Sequence, residues 1–120
     1  MMIFIWSRDG AVYREAEKLG LSISYSLRQY EKDLGHTLFY GAQAAANILN
    51  GIMQADIAYF DTYAHPSVHG AAVGQLKNKK GYRVLANPNW LMTCEFSVIK
   101  PTLKNLRRVC GSESKRPSEA

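Results

Sequence analysis

The sequence predicts one small α/β domain built around a parallel β-sheet. Strand-like and helix-like segments alternate along the 120 residues, which is typical of parallel strands joined by crossover helices. The first strand-like segment is apolar throughout rather than at every second residue, which indicates a strand covered on both faces. The charged fraction of 21% is ordinary for a globular chain. No apolar run approaches the roughly 20 residues of a membrane span, so we expect no membrane partner.

The first strand is predicted at 1–6, which is an uninterrupted apolar run. A helix is predicted over 12–34, because apolar residues recur there at steps of three or four. Gly20 and the weak helix formers at 22–24 fall inside this range, which favours a bend or a break there. Gly35 follows the last periodic residue and suits a C-terminal cap.

The rest of residues 1–110 is predicted to hold four further strands and three further helices. In chain order these are a strand at 36–40, a helix at 42–53, a strand at 56–61, a helix at 68–80, strands at 82–86 and 95–99, and a helix at 101–109. We therefore expect a single Rossmann-like domain with four to five parallel strands in flavodoxin-like order and helices on both faces. The polar segment 111–120 is predicted to be a disordered tail.

Basic side chains are concentrated in the last part of the chain. The formal net charge is +5, and residues 77–120 carry ten basic and three acidic side chains, whereas residues 1–76 carry five and seven. This bias suits anionic partners such as phosphates, nucleotides or nucleic acid. A solvated surface followed by a basic tail explains it equally well, so both interpretations stay open.

The cysteines and histidines favour a cytoplasmic protein without a metal site. Cys94 and Cys110 lack a secretion signal before them and the spacing of a zinc motif, so we expect free thiols. His65 and His69 are four residues apart, but Pro66 interrupts a regular helix and no third ligand lies nearby. We therefore expect neither a metal nor a cofactor.

Polar residues follow the predicted strands, where an open parallel sheet binds its ligands. Arg8 precedes a helix N-terminus and suits a phosphate or a sugar, Asp61 suits ribose hydroxyls, and Trp90 suits stacking on a base. Plain turn, cap and core roles are the alternatives. The candidate ligand-binding residues are Ser7, Arg8, Asp9, Gly10, Asp61, His65, Ser67, His69, Gly70, Asn87, Asn89 and Trp90.

Three stretches carry a family resemblance. They are the first strand with its polar loop, the segment 33–39 with its Gly-His pair, and the segment 52–86. Together they resemble the nucleoside 2-deoxyribosyltransferase and nucleotide N-hydrolase superfamily, which implies a nucleoside- or nucleotide-type ligand. Within 70–74, Ala72 stands where that family has its catalytic glutamate.

The alanine decides what the resemblance implies about chemistry. The family needs the glutamate to form a covalent glycosyl intermediate, so Ala72 predicts binding without N-glycosidic cleavage. Such a protein would sense or sequester a nucleotide, for example an ADP-ribose-type signal. The alternative is an active transferase or N-glycosidase with a relocated catalytic group, for which His69 and Asp61 are the candidates.

A second alternative is a DNA-binding protein. Residues 10–39 also resemble the winged helix-turn-helix of LysR-type regulators, with a turn at 20–22 and with Arg28 and Gln29 facing DNA. That alignment needs a deletion of about three residues, almost one helical turn, and it leaves 56–86 unexplained. Nucleic acid therefore stays the alternative partner to a small molecule.

The helix predicted at 42–53 bears on oligomeric state. Ala44, Ala45 and Ala46 permit close helix packing, which suits a homodimer or a higher homo-oligomer. Packing against the protein's own core explains the same three residues, so the sequence leaves both open.

Overall fold

The fold is a small parallel α/β sandwich. A computed structural model describes residues 1–35, 41–64, 66–87 and 98–110. Within these ranges the strands are β1 (Met2–Trp6), β2 (Ser22–Ser26), β3 (Ile57–Phe60) and β4 (Arg83–Ala86), and all of them pair in parallel in the order β2-β1-β3-β4. This confirms the predicted fold class, including the flavodoxin-like order.

Helices cover both faces of the sheet. They are α1 (Gly10–Lys18), α2 (Leu27–Asp33), α3 (Gly41–Gln54), α4 (Pro66–Asn78) and a helix at 103–110, called α5 here. Among the described residues, none of these helices has both the length and the apolar character needed to cross a membrane.

Two apolar layers flank the sheet because successive strand side chains point to opposite faces. On β1, Phe4 and Trp6 contribute to the layer that also contains buried residues of α3 and α4. Ile3 and Ile5 contribute to the other layer, which contains buried residues of α1 and α5. All four side chains are buried, which explains why the first strand is apolar at every position.

The single helix predicted over 12–34 is wrong. Helix α1 ends at Lys18, and Gly20 adopts a φ of 73°, which a residue with a side chain rarely adopts. Strand β2 follows and pairs with β1, beginning with a hydrogen bond of 3.1 Å from the Ser22 amide to the carbonyl of Met1. Ser26 then caps α2, since its side chain accepts a hydrogen bond from the amide of Gln29.

Strand β2 also removes the helix-turn-helix interpretation of this segment. The motif needs a second helix directly after the turn at 20–22, but Ser22–Ser26 is part of the sheet. Strand β2 lies at the sheet edge, where pairing with β1 satisfies the backbone groups that face β1. A helical periodicity in sequence does not reveal this pairing. The strand predicted at 36–40 lies outside the described residues.

The later elements follow the sequence predictions more closely. Helix α3, strand β3, helix α4 and strand β4 overlap the segments predicted at 42–53, 56–61, 68–80 and 82–86. Most of the strand predicted at 95–99 lies outside the described residues, as does the tail at 111–120, but Ile99 forms a parallel bridge with Leu85. On α3, Ala44 is buried in the core whereas Ala45 and Ala46 are exposed.

Candidate ligand-binding site

The sheet order places the switch point of the fold at the carboxyl ends of β1 and β3, and this edge is called the crevice here. The connection from β1 to β2 runs through α1 on one face, and the connection from β2 to β3 runs through α2 and α3 on the other. The two connections diverge on either side of β1, which is the arrangement that opens a binding crevice in parallel sheets. Residues 7–9 and 61–64 form the described loops at this point.

A hydrogen-bond network joins these two loops through Ser7 and Asp61. The hydroxyl of Ser7, which is fully buried, donates to Asp61 Oδ2 at 2.7 Å. The hydroxyl of Thr62 donates to Asp61 Oδ1 at 3.0 Å, and the amide of Asp9 donates to Ser7 Oγ at 3.0 Å. The Asp61 carboxylate is thereby oriented, and since an ionised carboxylate has about four acceptor positions, it keeps capacity for a ligand.

Aromatic side chains lock the same loops. The hydroxyl of Tyr13 donates to the carbonyl of Ser7 at 2.7 Å, and burial raises the pKa of Tyr13, so the phenol stays a donor at neutral pH. The indole nitrogen of Trp6 donates to the carbonyl of Tyr63 at 3.2 Å. These two hydrogen bonds fix the backbone of the loops after β1 and β3 in the ligand-free protein.

An apolar cavity of about 440 Å³ lies between α2, α3 and α4. The ring of Tyr30, which lines it, packs against Trp6 with their centroids 5.4 Å apart, so the cavity is close to the carboxyl end of β1. Ser67 and Val68, in the first turn of α4, also line this cavity. The lining is Tyr30, Ala44, Ala45, Ile48, Leu49, Ser67 and Val68.

A second cavity, of about 410 Å³, lies along β2 and was missed by the sequence analysis. Its lining is Tyr13, Ile23, Ser24, Tyr25, Ser26, Arg28, Gln29 and Lys32. Residues 12–34 were predicted to form one helix, and a single helix does not bring α1, β2 and α2 together around a common space. The two basic residues one helical turn apart on α2 were the available signal.

The loop after β1 combines structural and candidate functional residues. Arg8 pairs with Glu31, with 2.8 Å from Nη2 to Oε2, and the two side chains are 64% and 41% exposed, so this is a surface ion pair. Asp9 is the N-cap of α1, because its Oδ1 accepts from the amide of Ala11 at 2.9 Å. Gly10 begins the helix.

Helix α4 buries two of the residues that the family resemblance singled out. His69 is almost fully buried and packs edge-on against Phe60, with ring centroids 4.8 Å apart. Burial lowers the pKa of His69, so its imidazole is neutral at neutral pH. Ala72 is fully buried in the apolar layer, whereas Gly70 is exposed.

The remaining candidates are divided between described and undescribed residues. Asn87 follows β4 and is partly buried. His65, Asn89 and Trp90 lie outside the described residues. Across the described ranges, no group of three or more His, Cys, Asp or Glu side chains could hold a metal ion.

Two residues of the basic segment 77–120 form contacts away from the crevice. The ammonium group of Lys79 donates to the carbonyl of Ala55 at 2.7 Å and pairs with Asp56 at 3.5 Å, next to the start of β3. Arg107 on α5 pairs with Glu15 at 3.2 Å. These contacts give part of the basic bias a structural role.

Comparison of the chain with protein families, with curated proteins and with solved structures finds no match.

Proposed function

We propose that the protein binds a nucleoside- or nucleotide-type small molecule at the carboxyl edge of its sheet. The observation that carries the proposal is the Asp61 carboxylate, which is partly buried and fixed by Ser7 and Thr62 at the crevice between β1 and β3. A carboxylate held in this way accepts hydrogen bonds from neighbouring hydroxyl groups, and a ribose presents two of them side by side. Preorganisation lowers the cost of ordering the site on binding.

The apolar cavity supports the same ligand class. Its volume of about 440 Å³ falls in the range of roughly 300–1,000 Å³ for small-molecule sites, which are mostly apolar with a few polar groups. Tyr30 offers an aromatic face for a base, and the hydroxyl-bearing Ser67 also lines the cavity. We propose that the base occupies this cavity while the ribose binds at Asp61.

We further propose that binding proceeds without cleavage of the glycosidic bond. The glycosyltransferring mechanism of the resembled family needs a carboxylate nucleophile, whereas Ala72 carries none and packs into the apolar layer. His69 is almost fully buried and packs against Phe60, which leaves it little surface for contact with a substrate. A protein of this kind sequesters or senses its ligand, and ADP-ribose-type signals are the candidates to test first.

The proposal is tested by thermal stabilisation with a ligand panel. The panel contains nucleosides, nucleoside monophosphates, NAD, and linear and cyclic ADP-ribose species. A ligand at 100 times its Kd should stabilise the fold by about 2.7 kcal/mol, and mass spectrometry of the same mixtures should recover it intact. No stabilisation by any member would refute ligand binding, and a released base would replace the binding proposal with the enzymatic alternative.

Two variants make this test specific to the crevice. Asp61→Asn keeps the shape of the side chain but removes its charge, and we expect it to weaken binding of a ribonucleoside at least tenfold. The same variant should affect a 2′,3′-dideoxynucleoside little, because that sugar lacks the hydroxyl groups. Glu17→Gln removes an equal charge from an exposed position on α1 and should leave both affinities unchanged.

A further inference from the structure

Two arginine side chains converge above the backbone of Gly10, the first residue of α1. A Cβ atom placed on Gly10 would lie 3.0 Å from Arg28 Nη2 and 3.1 Å from Arg14 Nη1. The two nitrogen atoms are therefore no farther apart than the sum of these distances. Two guanidinium groups keep their charge at any physiological pH and repel each other, and an anion bound between them would relieve that repulsion.

The guanidinium of Arg28 is held in place by Tyr13. Its central carbon lies 4.1 Å from the centroid of the Tyr13 ring, which is a cation–π contact. The Tyr13 hydroxyl accepts from the amide of Arg28 at 3.3 Å and donates to the carbonyl of Ser7 at 2.7 Å. Arg28 is thus oriented by a side chain that is itself fixed to the end of β1.

The carboxylates of Glu31 and Asp9, which lie near the arginine pair in sequence, contact other groups. In the described part of the chain, neither Arg14 nor Arg28 forms an ion pair. Glu31 lies one helical turn beyond Arg28 but pairs with Arg8. Asp9 contacts the helix terminus instead, since its Oδ1 accepts a hydrogen bond from the amide of Ala11.

The cavity along β2 gives an anionic molecule room beside the arginine pair. Arg28 lines this cavity of about 410 Å³, and Lys32, one turn further along α2, adds a third cation. Tyr13 and Tyr25 provide aromatic surface in the same cavity. Phosphate is the anion that this arrangement fits, because a guanidinium binds two of its oxygens at once and a lysine adds a point charge.

We propose that Arg14 and Arg28 bind the phosphoryl group of a small molecule whose remainder occupies the cavity along β2. This site uses none of the carboxylates of the Asp61 crevice and goes beyond the proposed function. It accepts phosphate, whereas the crevice accepts hydroxyl groups.

Calorimetric titration with inorganic pyrophosphate at a fixed salt concentration tests the arginine pair directly. We expect Arg14→Ala and Arg28→Ala each to weaken binding at least tenfold, which is about 1.4 kcal/mol. Arg28→Lys should also weaken binding, because an ammonium group cannot bind two oxygens in the same way. Lys80→Ala removes the same charge from an exposed position after α4 and should leave the affinity unchanged.

Further variants separate this site from the crevice and from a loss of folding. Gly10→Ala should weaken pyrophosphate binding because its methyl group displaces both guanidinium groups, and circular dichroism should show an intact fold. Asp61→Asn should leave pyrophosphate binding unchanged, so failure at one site is distinguishable from failure at the other. If Arg28→Ala does not fold, the exposed Arg14 carries the test alone.

Three results would overturn the proposal. They are wild-type affinity in Arg14→Ala, an equal loss in Lys80→Ala, which would indicate only general charge attraction, and binding to vesicles of anionic lipid without binding to pyrophosphate. Phenyl phosphate should bind more tightly than inorganic phosphate if the cavity contributes. Equal affinities for the two would contradict that part of the proposal.

Discussion

Gly51 on α3 lies where the helix approaches the sheet most closely. A Cβ atom placed there would overlap the Cβ of Tyr25 on β2 and lie 3.3 Å from Phe4 Cδ1. The hydroxyl of Ser24 also donates to the carbonyl of Gly51 at 2.7 Å, which ties α3 to the edge strand. Gly51→Ala should therefore push the helix away from β2 and strain this hydrogen bond.

The expected loss follows from opposing terms. Overpacking a dense interior costs about 1–3 kcal/mol, and weakening the hydrogen bond of Ser24 costs about 1 kcal/mol. Alanine recovers up to about 1 kcal/mol because it is the better helix former. We expect Gly51→Ala to lower the free energy of unfolding by about 1–3 kcal/mol, measured by denaturant titration.

Gly74→Ala on α4 is the matched control, because no atom of the described residues lies within 4 Å of its added Cβ. Here the helix propensity acts alone, so the free energy of unfolding should rise by about 1 kcal/mol. The same glycine-to-alanine substitution is therefore expected to lower the free energy of unfolding in α3 and to raise it in α4. Wild-type or greater stability in Gly51→Ala would refute the packing of α3 against β2.

Three further predictions concern charged and titrating groups. Arg107→Ala leaves the nearly buried Glu15 without its ion partner. It should lower the free energy of unfolding by about 1 kcal/mol in urea titrations, a small effect because the arginine is largely exposed. An unchanged value would show that water replaces the arginine as the partner of Glu15. The pKa of His69 is lowered by burial from 6.5, so stability should be full above that pH and decline as pH falls below it; NMR titration should give His69 a pKa below 6.5, and a higher value would contradict its burial. A hydrogen bond from the amide of Met2, together with Lys79, lowers the pKa of Asp56 from 3.8. This stabilisation is present above pH 3.8 and is lost as pH falls through the lowered pKa, so Asp56→Asn should reduce the acid dependence of unfolding, and an unaltered acid dependence would assign it to other carboxylates.

Much of the fold follows from local pattern. Strand β1 is apolar at each position because both of its faces are covered. An uninterrupted apolar run of this kind identifies a central strand from the sequence alone. The β3–α4–β4 unit was also predicted within a few residues of its observed bounds. Strand β2 was missed because Ile23 and Leu27 continue the helical spacing of α1, although Gly20 signals an end. The partner that makes 22–26 a strand is β1, which is distant in sequence.

Part of the candidate site was predictable from local pattern, and part depended on contacts between distant segments. Ser7 and Asp61 were predicted because the ends of parallel strands lie at one edge, and the structure joins them by a hydrogen bond. Arg14 and Arg28 were not predicted as a pair. Their approach depends on the reversal of the chain between α1 and α2, which the assumption of one continuous helix hid.

Amide chemical shifts during a titration with adenosine would test the account most directly. Binding at the carboxyl edge should perturb the amides of Ser7, Asp61 and Val68, and Asp61→Asn should weaken that response. Shifts confined to the opposite edge, around Ala55 and Gly81, or no shifts at all would contradict ligand binding at this crevice.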